Sequence, residues 1–263
     1  MARVVCWISA GAPSAVAAKM VANAAGGNGV VLAYCQTGAE HPDNERFLSD
    51  IERWIGLPVE RLQSTEYSDT WDVWERRRYL AGINGAPRTG ILKLAPRLAF
   101  QKPNDTHVFG YTDDAKDRKR ASLLRENFFE LNIQTPLIER HVNRKSVLAI
   151  IENADIRLPA MYGMGFPNNN CIPCVKATSP NYWSAMRLHF PAQFQRMARL
   201  SRELDVRLCR IADERKFIDE IPVNWPTLNP EAPSCDFLCQ LVEQNISAFP
   251  TPPANEKTES CDV

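Results

Sequence analysis

The sequence predicts an α/β protein built on a mostly parallel β-sheet. Val4–Ile8 is a short run of β-branched and aromatic residues, and an Ala-rich segment follows it after a loop of small residues. Val30–Cys35 is a second apolar run, and Phe47, Ile51 and Ile55 recur behind it with helical spacing. Two strand–helix units in succession imply a parallel sheet with right-handed crossovers. A chain of 263 residues, 44% of them hydrophobic, can bury the core of one such domain.

Further strands and helices are expected along the rest of the chain. The strands are expected at residues 57–62, 106–111 and 135–138. Helices are expected between residues 112 and 131, over residues 146–152, and over the short segment 213–219. Residues 67–101 contain Gly82, Gly85, Pro87 and Gly90 and are expected to form a loop-rich excursion rather than one regular helix. The polar, proline-rich residues 247–263 predict a disordered tail.

The loop after the first strand is a candidate anion site. Ser9, Ala10, Gly11 and Ser14 lie where a buried strand feeds the N-terminus of a helix, and the positive end of a helix dipole stabilises an anion. We expect a phosphate there. The alternative is an ordinary tight turn, in which Gly11 supplies an unusual dihedral angle and Ser14 caps the helix. The loop has neither the Gly-Lys-Ser/Thr ending of a Walker loop nor a Gly-x-Gly-x-x-Gly pattern.

The loop after the second strand carries further polar residues. Ligands of parallel sheets bind beyond the carboxyl ends of the strands, which places Thr37, Gly38, Glu40 and His41 beside the first loop. We expect these residues to contribute to the same ligand site. The alternative is a plain connecting loop in which Asp43 caps the following helix.

Charge and hydropathy limit the partners. The 31 basic and 31 acidic residues cancel, so no overall basicity indicates nucleic acid. Residues 67–101 nevertheless interleave arginines with aromatic residues, which favours either a phosphate-rich or stacked ligand or a solvated face. We find no apolar run long enough to span a bilayer and no pattern of a signal peptide, so we expect a cytoplasmic protein without a membrane partner.

Eight cysteines without a secretion signal point to reduced thiols, metal ligation or catalysis rather than to a disulfide framework. Three of them lie in apolar runs and are expected to be small buried residues: Cys6, Cys35 and Cys209. Four form two closely spaced pairs: Cys171 with Cys174, and Cys235 with Cys239. The last, Cys261, is expected to be an exposed thiol.

The two cysteine pairs predict a metal centre. Four thiolates can hold a tetrahedral zinc ion or a 4Fe-4S cluster. Asn169 and Asn170 are expected to donate hydrogen bonds to the sulfur atoms. The alternatives are a redox-active dithiol formed by Cys171 and Cys174, or four reduced cysteines without a metal.

Several of these motifs, in their order along residues 3–205, resemble one protein family. The first loop resembles a Ser-Gly-Gly-x-Asp-Ser phosphate loop in which Ala10 and Pro13 replace a glycine and the aspartate. Residues 36–43 resemble an Asp-Thr-Gly-x-x-x-Pro-Glu segment, and residues 156–176 resemble a Pro-Leu-Tyr segment that ends in Cys-x-x-Cys. These features are similar to the phosphoadenosine phosphosulfate (PAPS) reductase family of the PP-loop, or adenine nucleotide alpha hydrolase-like, superfamily. Asn-Asn-Cys-x-x-Cys-Val-Lys is similar to its phage and bacterial branch.

The resemblance implies a fold and a division of the chain. The implied sheet has five strands in the order 3-2-1-4-5 with helices on both faces, followed by a small cysteine-containing appendage. Residues 1–205 would form the adenine-nucleotide-binding domain, and residues 206–246 a C-terminal extension with the second cysteine pair. The implied compartment is a bacterial cell, for a chain of bacterial or phage origin.

The resemblance also implies catalytic residues. Residues 85–93 are similar to a family segment that carries cysteines before a lysine; Arg88 falls near a cysteine position and Lys93 at the lysine. Arg118 and Arg120 match the arginine of a further motif. These three basic residues, Lys93, Arg118 and Arg120, would act on the bound ligand.

Three functions are compatible with the resemblance. The first is ATP-dependent sulfur or nucleotidyl transfer with cleavage of the α–β phosphate bond, assisted by Mg²⁺, with a nucleic acid as candidate acceptor and a thiol or sulfur-donor protein as partner. The second is thiol-dependent reduction of PAPS or adenylylsulfate to sulfite. The third is a non-catalytic accessory protein that keeps the adenine-nucleotide pocket. The replacement of the loop aspartate by Pro13 weighs against the first function, because that aspartate usually helps to hold the metal.

Overall fold

The computed structural model describes residues 3–82, 85–234 and 244. Cys235, Cys239 and Cys261 therefore lie outside the described residues, as does the segment predicted to be a disordered tail. Five parallel strands form one sheet in the order β3-β2-β1-β4-β5, which confirms the predicted α/β fold and strand order. The strands are β1 Val4–Ile8, β2 Val30–Cys35, β3 Val59–Leu62, β4 Thr106–Phe109 and β5 Asn132–Gln134.

Helices connect the strands and continue after the last one. Those of the sheet region are α1 Ala12–Ala24, α2 Asp43–Ile55, α3 Thr70–Arg77, α4 Pro87–Thr89, α5 Ala95–Phe100 and α6 Ala115–Asn127. A π-helical turn, Gly90–Leu94, joins α4 to α5. The helices that follow β5 are α7 Pro136–Glu139, α8 Arg144–Asn153, α9 Ala160–Gly163, α10 Pro180–His189 and α11 Pro191–Glu203. Along the described ranges, no helix is both long and apolar enough to cross a bilayer.

The sheet buries its two faces against different partners. Alternate residues of a strand point to opposite faces, so Cys6 and Ile8 face one side while Val5 and Trp7 face the other. The first side packs against α1, α2 and α8 and forms the largest apolar core of the domain. The second side is covered by a smaller layer that includes Phe100 of α5.

A second apolar core lies outside the sheet. Trp74 of α3, Trp183 of α10 and Met197 of α11 are fully buried in it. Leu208 and Ile218 belong to the same cluster, so this core continues across residue 205, where the sequence analysis divides the chain. The segment after α11 is a hairpin, β6 Cys209–Ile211 with β7 Glu214–Lys216, followed by a 3-10 turn at Ile218–Glu220.

Three sequence-based expectations for secondary structure are wrong. The fifth strand ends at Gln134, and Pro136 begins helix α7 because proline fits the first turn of a helix. Residues 213–219 include strand β7 rather than a helix, and Ala212 turns the hairpin with a φ of 52°. Residues 67–101 contain helices α3 to α5 despite their glycines.

A buried ion pair anchors the start of the sheet to β4. Arg3 donates from Nε and Nη2 to the carboxylate of Asp105, at 3.0 and 2.7 Å, and the backbone N–H of Lys102 also donates to it. Burial alone would raise the pKa of Asp105, but these hydrogen bonds lower it, and the net shift is downward. A carboxylate with a lowered pKa in the folded state stabilises the fold above its unfolded pKa of about 4 and loses that effect as the pH falls through the lowered value.

Asp105→Asn is therefore expected to lower the free energy of unfolding at pH 7 by about 1–3 kcal/mol, because a charge-assisted pair is lost at a buried position. The difference from the parent protein should shrink below pH of about 4. Urea unfolding followed by circular dichroism at several pH values measures both effects. A difference that stayed constant down to acid pH would contradict the role given to the Asp105 charge.

Candidate functional site

The loop between β1 and α1 is a shaped turn with its hydroxyls at the sheet edge. Ser9 is exposed, Ala10 is buried with a φ of 54°, and Gly11 is extended and precedes the first residue of α1. The buried Ser14 hydroxyl accepts from the Ser9 N–H at 3.0 Å and donates to the Gly11 carbonyl at 2.9 Å. The alternative based on an unusual Gly11 dihedral and a Ser14 cap is wrong: Ala10 takes the left-handed conformation, and Ser14 lies inside the helix.

Residues distant in sequence hold this loop in place. The Tyr162 hydroxyl accepts a hydrogen bond from the Ala12 N–H at 3.3 Å, and Asn169 Nδ2 donates to the Ala10 carbonyl at 2.5 Å. Gly110, just beyond β4, packs directly on the first turn of α1, since a Cβ there would approach the Ser14 backbone to 2.5 Å. The first turn of a helix leaves backbone N–H groups without intrahelical partners. Because the Ala12 N–H is taken by Tyr162 and Pro13 has no N–H, the first turn offers the Ser14 N–H, beside the exposed Ser9 hydroxyl.

The second loop is braced by its own glutamate. Glu40 accepts from the Thr37 N–H at 2.9 Å, from the Thr37 hydroxyl at 2.5 Å and from the Ala39 N–H at 3.1 Å. Gly38 has a φ of 68°, and a Cβ there would meet the Cβ of Asp69 at 2.5 Å. His41 Nδ1 accepts from the Asp43 N–H at 3.1 Å. Glu40 and His41 thus shape the loop, and Asp43 is the first residue of α2 rather than its cap.

A polar cleft of about 350 Å³ opens beside this second loop. It lies at the carboxyl ends of β2 and β3, where parallel sheets bind ligands. Its lining includes Tyr34, Gln36, Gly38, Glu40, His41 and Tyr67. Three residues predicted for the ligand site, Gly38, Glu40 and His41, therefore line one cleft. This cleft has room for a flat polar group.

The first cysteine pair is buried next to the second loop. The Cys171 sulfur lies 2.8 Å from the Thr37 hydroxyl and 3.0 Å from Nη1 of Arg88. Nη2 of Arg88 donates to the Cys174 sulfur at 3.6 Å, so one guanidinium contacts both thiols. Arg88 is only 5% exposed. Burial alone would lower the pKa of Arg88, but the two cysteines raise it, and the net shift is upward.

The structure corrects the expected donors to sulfur. Asn169 donates to the Ala10 carbonyl and to Asn44 Oδ1 rather than to a cysteine. Arg88 takes that role, and the Tyr162 and Asn169 contacts tie the cysteine segment to the first loop. The phosphate-loop candidates and the cysteine pair therefore belong to one connected site.

The described residues supply half of the predicted metal centre. Cys171 and Cys174 are buried, and both sulfurs accept hydrogen bonds from the Arg88 guanidinium, which suits metal ligands. Within the described ranges, no cluster of three or more His, Cys, Asp or Glu side chains could hold a metal. The other two predicted ligands, Cys235 and Cys239, lie outside those ranges.

The chain leading to Cys235 contacts the start of α8, which in turn contacts the segment before the first cysteine pair. The Ser234 N–H donates to the Lys145 carbonyl at 3.4 Å. Arg144 forms an ion pair with Glu231 and donates to Asn168, three residues before Cys171. The described part of the chain is thus compatible with a four-cysteine centre and does not complete one.

The three basic residues predicted to be catalytic are exposed on two elements. Lys93 lies in the π-helical turn, and its carbonyl accepts from the Cys35 thiol at 3.6 Å. Arg118 and Arg120 lie on α6, where they form ion pairs with Asp113 and Asp117, respectively.

The sequence analysis did not single out Lys176. The pKa of Lys176 is lowered, first by partial desolvation and then by the charges of Arg88, Lys93 and Arg120. Lys93 and Arg120 therefore face the same region as the cysteine pair.

Comparison with known proteins does not identify the chain: no family model matches it, and no curated protein matches it either.

Proposed function

We propose that this protein binds an adenine nucleotide at the carboxyl edge of its sheet and catalyses ATP-dependent sulfur or nucleotidyl transfer with cleavage of the α–β phosphate bond. The observation that carries the proposal is the fixed loop from Ser9 to Ser14, which offers backbone N–H groups and hydroxyls at the N-terminus of α1. The resemblance to PP-loop proteins of the PAPS reductase family supports the same assignment.

The loop lies at the preferred ligand position of this sheet topology. The chain proceeds from β1 to β2 and β3 on one side and returns to β4 and β5 on the other, so the strand order reverses next to β1. Ligands of open parallel sheets bind at such a switch point. In the proposed complex the nucleotide phosphates contact the first loop, and the cleft beside Thr37 and Gly38 is the candidate pocket for the purine base.

The proposed reaction depends mainly on positioning and charge neutralisation. An oxygen of the acceptor attacks the α-phosphorus of ATP and pyrophosphate leaves, so that the acceptor carries AMP. A sulfur nucleophile from a donor then displaces AMP. Lys93 and Arg120 are exposed cations facing this edge, and they would neutralise the charge that develops on the phosphates. Pro13 offers no carboxylate to Mg²⁺, so the ion would be held chiefly by the phosphates.

The cysteine pair has a defined place in this proposal. The Thr37 hydroxyl contacts the Cys171 sulfur, so the pair adjoins the proposed nucleotide site. We propose that Cys171 and Cys174, with Cys235 and Cys239, hold a zinc ion or a 4Fe-4S cluster. When bound, such a centre would supply soft ligation for the thiolates or for a transferred sulfur atom.

One observation favours a second candidate, thiol-dependent reduction of PAPS or adenylylsulfate. Arg88 places a buried positive charge 3.0 and 3.6 Å from the two cysteine sulfurs, and a neighbouring positive charge is a feature of nucleophilic cysteines. In that reaction a thiolate attacks the sulfur of the substrate, the bond from sulfur to the phosphate oxygen breaks, and the nucleotide leaves as an anion. A second thiol then releases sulfite and forms a disulfide. Release of sulfite rather than pyrophosphate would distinguish this candidate.

Replacing both Ser9 and Ser14 by alanine is expected to weaken adenine-nucleotide binding about tenfold or more, since the exposed Ser9 hydroxyl and the buried Ser14 hydroxyl that holds the loop are both lost. The fold should survive, with a loss of about 1–2 kcal/mol from the two internal hydrogen bonds of Ser14. Calorimetric titration with ATP, alongside thermal unfolding, measures both. Ser49→Ala, which removes a hydroxyl bonded to the Glu45 carbonyl on α2, is the matched control. An unchanged titration curve for the double variant would exclude the first loop as the phosphate site.

Cys171→Ser is expected to lose bound zinc or iron, because it removes one of four proposed ligands. Elemental analysis of protein purified without oxygen gives the metal content per chain. Cys209→Ser, a buried cysteine of β6 in the second core, serves as the control and should keep its metal. Full metal content in Cys171→Ser would show that this pair is not a ligand pair.

A further inference from the structure

A second buried guanidinium lies on the sheet face opposite α1. Arg97 of α5 is 8% exposed, and its guanidinium carbon lies 4.4 Å from the ring centre of Phe128 and 5.8 Å from that of Phe109. Its Nε and Nη2 are buried, and neither has a hydrogen-bond partner among the described residues. A buried charge is costly unless it is paired, so this arrangement requires compensation.

Among the described residues, no group near Arg97 pairs with it as a negative charge. The groups that act on it electrostatically are Cys35, Tyr111 and Glu130. Burial raises the pKa of the Cys35 thiol and of the Tyr111 hydroxyl, so both are neutral near pH 7. Glu130 is exposed, and no ion pair joins it to Arg97 within the described part of the chain. Burial lowers the pKa of Arg97 itself, which reflects the same missing partner.

Other cations border the same position. The Cys35 thiol, on the last residue of β2, donates to the Lys93 carbonyl at 3.6 Å, and the charges of Lys93 and Arg97 both act on that thiol. Arg120 lies 5.2 Å from the ring centre of Tyr111, and that ring stacks on Phe109, the last residue of β4. Because β2 and β4 flank β1 in the sheet, this position lies beside the end of β1, where Ser9 follows. Lys93 and Arg120 are exposed, so the rim of this position reaches solvent.

We propose that Arg97, with Lys93 and Arg120 at the rim, forms a binding site for a tetrahedral oxyanion, either phosphate or sulfate. Nε and Nη2 of Arg97 are buried without partners, and a bound oxyanion would accept hydrogen bonds from them and compensate the buried charge. This site lies on the sheet face opposite the first loop. It shares the exposed cations Lys93 and Arg120 with the proposed reaction, but anion binding by Arg97 does not require that reaction. The oxyanion is either a free inorganic ion or a group carried by the ligand of the neighbouring site.

The test is calorimetric titration with inorganic sulfate, and separately with phosphate, at constant ionic strength. The parent protein should bind the anion, and Arg97→Met should bind it at least about tenfold more weakly. Arg97→Met should also unfold at the same or a higher temperature than the parent protein in anion-free buffer, since a nonpolar side chain replaces an unpaired charge. Arg53→Gln, which removes an exposed arginine of α2, is the control and should bind sulfate like the parent.

Two results would overturn the proposal: no sulfate or phosphate binding by the parent protein, or equal binding by Arg97→Met, as expected if water alone solvates the guanidinium. If Arg97→Met does not fold, Arg120→Gln decides, because this surface change should still weaken anion binding. Sulfate titration in the presence of saturating ATP distinguishes the two sources of the oxyanion. If ATP leaves sulfate binding unchanged, the site takes a free ion. If ATP competes with sulfate, and Ser9→Ala with Ser14→Ala relieves that competition, the oxyanion is a group carried by the nucleotide.

Discussion

The contact between the Thr37 hydroxyl and the Cys171 sulfur joins the two parts on which the candidate site depends. Thr37 follows β2 of the sheet, and Cys171 belongs to the segment that packs in the second apolar core. The same junction carries a backbone hydrogen bond from Ile172 to Ala39, at 2.6 Å. Without this junction the second loop and the cysteine pair would be separate features. With it, the proposed nucleotide site at the sheet edge and a buried thiol lie close together.

Two buried arginines give this region its electrostatic character. Arg88 is compensated by two cysteine sulfurs, whereas Arg97 lacks a partner among the described residues. Folding a chain around unpaired guanidinium groups is unfavourable unless an anion arrives, so such a position is more readily explained by binding than by stability. Positive charge on both sides of the β1 end would attract an anionic ligand to the edge where the strand order reverses.

The sequence predicts the sheet well because its signals are local. Val4–Ile8 and Val30–Cys35 are strands with the expected bounds, since each is a short apolar run between turn residues. The fifth strand was misplaced because Thr135-Pro-Leu-Ile has strand-like residues, while Pro136 fits the first turn of a helix. The supports of the site leave no such local pattern. Tyr162 and Asn169 reach the first loop from about 150 residues away, and Arg88 reaches Cys171 from 83 residues away, so only tertiary structure reveals them.

The central claim is that the nucleotide bound at this edge is activated by release of pyrophosphate. The most direct measurement is pyrophosphate release from ATP and Mg²⁺ by protein purified without oxygen, with RNA or DNA offered as acceptor. The account predicts release that requires an acceptor and is lost when the first-loop hydroxyls are removed. Absence of release from protein that demonstrably binds ATP would contradict it.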